Sequence, residues 1–429
     1  MLSVVCNIGS DAFAQTRPLV EDLPRQVLPL FRELESGQVG SLGIVGDSVS
    51  LLNRSYNWHL RGRFWADYGS SGDGYLALAK FAGDCGANSV GPRCGLGLIY
   101  GPGSTFSEDT GPFDAAGESA PDGMWFQIER IIAPGYTTFQ AFGREVIVHY
   151  IRQVGGGVME IEVADTLFAT IDTAIPAGQP QHARLVIDTG ASGPDVLTSI
   201  RIRNEGVQPV QVNAFEMRDA SPGLRYHRLA RGGAGPLQFL ASRTDAVADC
   251  LRSLDMQLLI IMLDASGAEL NNVAFYESNL DQLVAFYQAQ LPSTKIILMT
   301  HHPFRPLIGP QADAILRVAR ARGTGYINLF DLFSGYDEMN ALGFMNGVVH
   351  LSNAGGAWFG QYIYGVLRTA AADALIADFN SDGMFDFFDV QAFLAAFAAN
   401  HPSADVNNDG VIDFFDVQRF LAAFSQALG

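Results

Sequence analysis

Residues 378–389 read Asp, Phe, Asn, Ser, Asp, Gly, Met, Phe, Asp, Phe, Phe, Asp, and 27 positions later residues 405–416 repeat the pattern as Asp, Val, Asn, Asn, Asp, Gly, Val, Ile, Asp, Phe, Phe, Asp. Oxygen-bearing side chains fall at positions 1, 3, 5, 9 and 12, and glycine at position 6. A hard divalent cation takes six or more oxygens, and a twelve-residue loop with this spacing wraps them around one point, the glycine making the sharp turn and residue 7 lending its carbonyl. The expected ligands are Asp378, Asn380, Asp382, Met384 (carbonyl), Asp386 and Asp389, then Asp405, Asn407, Asp409, Val411 (carbonyl), Asp413 and Asp416. Two Ca²⁺ ions are therefore expected. Each loop runs into an apolar helix, through Val390, Phe393, Leu394 and Phe397, and through Val417, Phe420, Leu421 and Phe424. No helix is expected to lead into the first loop.

This repeat resembles a type I dockerin module, with Asp at position 12 in place of the usual Glu. The resemblance covers residues 374–429 and implies a cohesin-type partner. Phe387-Phe388 and Phe414-Phe415 stand at positions 10 and 11, either as core of the small module or as an apolar docking face.

The rest of the chain is organised around a different feature. Leu42 to Val45 is an apolar run that ends in Gly46-Asp47-Ser48. A buried strand that ends on a glycine turn delivers the serine at its carboxyl end, where open α/β sheets place their ligands. A serine needs a base to act as a nucleophile, and His350, in Val349-His350-Leu351-Ser352, is the candidate. Gly46-Asp47-Ser48-Val49-Ser50 and Val349-His350-Leu351-Ser352-Asn353-Ala354-Gly355 resemble the first and last blocks of the SGNH (GDSL-type) hydrolases. The resemblance implies an ester hydrolase working through an acyl-enzyme, with Gly233 of Gly232-Gly233-Ala234 as a second backbone donor to the oxyanion. Two positions depart from that pattern. The Asp that precedes the histidine by three residues is Gly347 here, with Asn346 beside it as a neutral stand-in and Asp331 or Asp337 as remote ones. The third block lacks its Asn, and Ser266, after the strand Leu258 to Leu263, stands closest to it. His301 and His302 follow another strand, either lining the cleft or serving the core. Outside the repeat no His, Cys or Asp cluster has ligand spacing, so no further metal is expected.

Texture divides the chain. Strand–helix alternation over residues 15–100 and 219–368 indicates a parallel sheet with crossover helices. Among its helices are Pro18 to Gly37, Leu51 to Trp65, Leu280 to Gln290 and Gly355 to Leu367. Between the two halves, residues 101–218 hold short β-branched runs separated by turn clusters, which reads as an inserted all-β sandwich of jelly-roll kind. The separation of 185 residues between Ser48 and Gly233 is far more than one strand–helix unit needs, and an insert accounts for it. The fold class is thus α/β, split by a sandwich, with a small all-α Ca²⁺ module.

Net charge is −18 and no Lys/Arg cluster exists, which disfavours a nucleic-acid binder. Residues 1–14 carry a short apolar run and Ala12-Phe13-Ala14 before Gln15, a small-residue cleavage pattern that points to export. No stretch reaches the ~20 apolar residues that span a bilayer. Cys85 and Cys94 flank a Gly-rich loop that a disulfide would staple, Cys6 lies in the leader-like segment, and Cys250 is left as a buried thiol. The combined expectation is a secreted, surface-tethered esterase acting on acyl (acetyl among them) esters of a polysaccharide or on small esters. The alternative is a non-catalytic carbohydrate-binding protein on the same fold.

Overall fold

A computed structural model describes residues 17–52, 55–77, 99–100, 104–106, 116–124, 126–129, 135–192, 196–305 and 308–428. The leader-like segment and the Cys85–Cys94 pair lie outside these residues.

Seven strands form the sheet that carries Ser48. Their order is Val20–Glu21, Gly325–Ile327, Lys295–Met299, Leu258–Met262, Val39–Gly46, Gly223–Ala230 and Ser70–Asp73. All neighbours are parallel except the edge strand Val20–Glu21. Alternating side chains of the central strands feed two cores, as burial on both faces requires. Leu42, Ile44, Leu258 and Ile260 pack with the helices Leu23–Glu35, Tyr56–Tyr68 and Asn353–Ala377. Val45, Leu259, Ile261 and Ile296 pack with Asp245–Ser253, Val273–Gln290 and Ile308–Arg322. The result is a three-layer mixed α/β fold.

Between Ser70–Asp73 and Gly223–Ala230 the chain makes two antiparallel sheets. One holds Thr166–Asp172, Val158–Val163, Leu197–Asn204, Gly135–Phe142 and Ile99–Tyr100 in that order. The other holds Gln181–Asp188, Glu145–Arg152, Val210–Arg218, Phe126–Ile128 and Ser104–Phe106. Phe139, Ile161 and Ile200 of the first share a core with Val148, Val212 and Phe215 of the second, and the rings of Phe139 and Phe215 stack at 3.7 Å. The excursion begins earlier than residue 101, because Leu76–Ala77 already pairs with Val210–Arg218. Two residues are too few to show a period of 2, so this strand left no pattern to read.

The C-terminal boundary also differs from expectation. The helix after His350 runs without a break from Asn353 to Ala377 and ends on Asp378, the first residue of the first acidic loop. That loop therefore does have a helix leading into it. The helix is apolar well past Leu367 because it packs on Leu23–Glu35 on one side and on Phe414–Leu428 on the other. Arg25 donates to the carbonyl of Ala427 at 3.1 Å, and Arg419 pairs with Asp373 at 2.8 Å. The C-terminal helices share a core of Phe393, Ala404 and Phe420, with the two phenyl rings stacked at 4.2 Å.

Candidate active site

Ser48 begins a short helix, Ser48–Leu51, at the carboxyl end of the central strand. Gly46 is required there by packing: a Cβ would lie 2.1 Å from Ser50 Oγ and 3.1 Å from the Met262 carbonyl. His350 arrives from the far end of the chain on a two-stranded ladder, directly across from Asn346. Its Nε2 lies 2.8 Å from Ser48 Oγ, within hydrogen-bonding reach. Both side chains are partly exposed, so a substrate can reach them.

The residue between the glycine and the serine does as much for the site as either neighbour. Asp47 is buried, and its Oδ1 accepts the Val49 N–H at 2.9 Å, capping the short helix. Its Oδ2 accepts the Asp264 N–H at 3.1 Å, tying the turn to the end of the next strand, and pairs with His301 Nε2 at 2.8 Å. Burial alone would raise the Asp47 pKa, but the His301 charge and hydrogen bond, helped by the two backbone donors, hold it below the ordinary carboxylate value. Burial alone would likewise lower His301, and the Asp47 carboxylate overrides it and raises the imidazole above its ordinary value. The two form a buried ion pair beneath the serine. His302 does something different. Burial brings its pKa down to about 3, and the neutral ring donates from Nε2 to the Val349 carbonyl at 2.9 Å, holding the backbone next to His350. Both histidines thus serve the scaffold of the site.

The remaining sequence candidates fare unevenly. Gly233 sits in an exposed turn at φ +68°, just beyond the strand Gly223–Ala230. That strand runs beside Val39–Gly46 with Ala230 opposite Gly46, and the Arg231 N–H bonds the Gly46 carbonyl at 3.0 Å. The turn is thus registered to the Ser48 end of the sheet. Ser266 is not a free donor: its hydroxyl is hydrogen-bonded to Gln238 Oε1, and its N–H to Glu269. The oxygen of Gln238 outcompetes the cleft. Asn346 is exposed and faces His350 only through the ladder, without a side-chain hydrogen bond to it. Asp331 is taken by Arg17 at 2.8 Å and by Asn328 at 2.7 Å. Among the described residues no carboxylate pairs with His350. Ser48 and His350 therefore meet without a third, acidic partner among the described residues.

This fold has a solved counterpart. A peptidoglycan O-acetylesterase superposes with a TM-score of 0.62 at 17% identity, over 82% of this chain and 99% of that chain. A family two carbohydrate esterase from Clostridium thermocellum, solved with cellohexaose, gives a TM-score of 0.29 at 10% identity, over 64% of this chain and 98% of its own. A family two carbohydrate esterase from Cellvibrio japonicus gives 0.28 at 10% identity, over 66% and 99%. At the level of sequence no family profile and no curated protein matches. The first likeness shows that the chain has the fold of that esterase.

A charged pair at the site escaped the sequence reading. Arg305 Nη2 bonds both oxygens of Asp264, at 2.6 and 2.7 Å, one hydrogen bond away from Asp47. Its only signal was position: Asp264 lies just past the end of one parallel strand and Arg305 in the loop after the neighbouring one.

The acidic loops repeat in space as they do in sequence. In each, the last aspartate accepts the N–H of residue 3 and of residue 9: Asp389 from Asn380 (3.1 Å) and Asp386 (2.9 Å), Asp416 from Asn407 (3.2 Å) and Asp413 (3.0 Å). Gly383 and Gly410 take φ of +89° and +85°, and donate to the first aspartates at 3.0 and 2.9 Å. Asp389 and Asp416 are fully buried. A buried carboxylate is costly without a positive partner, so the donor set fits a hard cation. In the first loop Asp378 is also ion-paired to Arg32 of the α/β part. Phe387, Phe388, Phe414 and Phe415 are 61–72% exposed, so they are surface and not core. No helix among the described residues is long and apolar enough to cross a membrane.

Proposed function

We propose that this chain is a serine esterase of the SGNH kind that removes acyl groups, acetyl among them, from a polysaccharide. The observation that carries the reading is the 2.8 Å approach of His350 Nε2 to Ser48 Oγ at the carboxyl end of the central strand. In the proposed reaction Ser48 Oγ attacks the ester carbonyl as His350 Nε2 takes its proton. The backbone N–H groups of Ser48 and Gly233 receive the oxyanion. His350 then returns the proton to the leaving sugar oxygen, the C–O bond breaks, and water cleaves the acyl-serine by the same steps. The peptidoglycan O-acetylesterase of like fold supports an O-acetylated cell-wall glycan as substrate. The antiparallel unit is read as an inserted sandwich of jelly-roll kind. The rival reading, a glycan-binding protein on a retired hydrolase fold, draws on the lack of a carboxylate at His350. O-acetylated peptidoglycan and p-nitrophenyl acetate separate the two: the esterase releases acetate from both, whereas a binding protein retains glycan and releases none.

The same proposal extends to the C-terminus. The two loops hold one Ca²⁺ each, through Asp378, Asn380, Asp382, Met384, Asp386 and Asp389, and through Asp405, Asn407, Asp409, Val411, Asp413 and Asp416. The exposed phenylalanine pairs form the face that meets a cohesin-type partner, and the enzyme is exported and tethered through it. After chelation with EDTA, added Ca²⁺ is expected to raise the Tm of the full chain, since a ligand at 100 times its Kd stabilises by about 2.7 kcal/mol. A Tm unmoved by the added Ca²⁺ would remove the calcium assignment.

A further inference from the structure

The seam between the antiparallel unit and the α/β part holds a cluster that no function above uses. His149 stands on Glu145–Arg152, His182 on the neighbouring strand Gln181–Asp188, and Cys250 on the helix Asp245–Ser253 of the α/β part. His149 Nδ1 lies 2.9 Å from His182 Nε2 and 3.8 Å from Cys250 Sγ. All three ligand atoms fall within 4.8 Å of one another, and among the described residues no other trio of His, Cys, Asp or Glu does so. His149 and Cys250 are buried and His182 is half-buried.

The geometry is that of a ligand set. With Zn–N bonds of about 2.05 Å and a Zn–S bond of about 2.3 Å, a tetrahedral ion separates two nitrogens by about 3.3 Å and a nitrogen from a sulfur by about 3.6 Å. The observed separations of 2.9 and 3.8 Å need only small adjustments. The far nitrogen of His149 supports the same conclusion. Nε2 meets Glu216 Oε1 at 2.6 Å, and Glu216 is itself fully buried and paired with Arg218 at 2.8 Å. A carboxylate on Nε2 fixes the proton there, so Nδ1 turns its lone pair toward His182 and Cys250. Metal-ligating histidines are oriented by this kind of outer carboxylate. Tyr75 packs edge-on against the His149 ring at 5.3 Å, and its buried hydroxyl has no hydrogen-bond partner among the described residues.

We propose that His149, His182 and Cys250 bind a thiophilic divalent cation, Zn²⁺, which pins the antiparallel unit to the α/β part. Two imidazoles and a thiolate suit Zn²⁺ and exclude Ca²⁺, so this site is separate in chemistry from the C-terminal loops. The thiol proton leaves to solvent as the Cys250 Sγ–metal bond forms. The fourth position is left for water. The proposal does not depend on the esterase reading.

The test uses the full chain, purified reduced, stripped with chelator and titrated with ZnCl₂ or CoCl₂. The expected result is one Zn²⁺ per chain retained through desalting and a near-ultraviolet thiolate-to-cobalt band with CoCl₂. Cys250→Ser keeps Cys6, Cys85 and Cys94, and should lose the band. His182→Ala changes a half-buried edge position and removes a direct ligand, so it should weaken Co²⁺ binding by more than the roughly tenfold that losing an outer hydrogen-bond partner costs. A wild-type chain that shows no band overturns the proposal, as does a band that survives in Cys250→Ser or is unmoved by His182→Ala.

Discussion

Ser48→Ala and His350→Gln are each expected to lower kcat on p-nitrophenyl acetate by a factor on the order of 10⁴ to 10⁶, and the double variant by no more than either alone. The reason is that the two atoms act as one device. A serine hydroxyl attacks an ester at a useful rate only as its proton leaves, and the acceptor is the imidazole nitrogen 2.8 Å away. Glutamine at 350 can still accept a hydrogen bond but cannot carry the proton. Removing either partner leaves only the backbone donors and the fold of the cleft, so the second removal has little left to take. KM should change little, because both side chains act on the transition state and not on the bound ester. Both are partly exposed, so neither substitution should disturb the core. Circular dichroism and Tm matching wild type would tie the loss to chemistry. A Ser48→Ala chain that still turns over at the wild-type rate would refute the hydrolase reading.

How legible this site was depended on whether its chemistry is local in sequence. Gly46-Asp47-Ser48 could be read because one turn holds the bend and the nucleophile together, and the acidic loops because a cation-wrapping loop is contiguous. Pairing Ser48 with His350 was legible only through the resemblance of both blocks, and the sheet brings the two together. The zinc-like trio was invisible for the opposite reason. His149, His182 and Cys250 come from three elements in two structural units, so no spacing could betray them, and Cys250 read simply as a leftover buried thiol. Asp47–His301 was half legible: the aspartate looked like part of a motif and the histidine like a cleft or a core residue, and only the fold makes them a buried pair. Strands such as Val158–Val163, whose side chains alternate between buried and half-buried over most of their length, are the legible kind. Gly135–Phe142 and Thr166–Asp172 are the illegible kind. The first is buried at most positions and the second is mostly exposed, so neither alternates cleanly.

Asp47→Asn is expected to destabilise the fold by about 3–5 kcal/mol near pH 6 and to reverse the sign of its pH dependence. In the wild type His301 is raised by its partner. That contribution is fully present below the ordinary histidine value near 6.5 and fades as pH climbs through the raised one. Asp47 is depressed, so its share is present above the ordinary carboxylate value near 3.8 and fades as pH falls through the lowered one. The pair therefore stabilises most between about pH 4 and 6.5. Asparagine keeps an oxygen for the Val49 N–H but removes the charge. His301, still fully buried, then resists protonation, and stability is lost as pH falls below about 6.5 where the unfolded imidazole charges. Urea unfolding at pH 5, 6, 7 and 8 reads the effect directly: the difference between wild type and variant should be greatest at the acidic end and shrink toward pH 8. The turn under Ser48 loosens with the pair, so activity should fall as well, and raising the pH should recover part of it. A difference that is flat from pH 5 to 8 would mean that Asp47 and His301 hold the turn as neutral partners, and that the charge pair contributes nothing to the position of the serine.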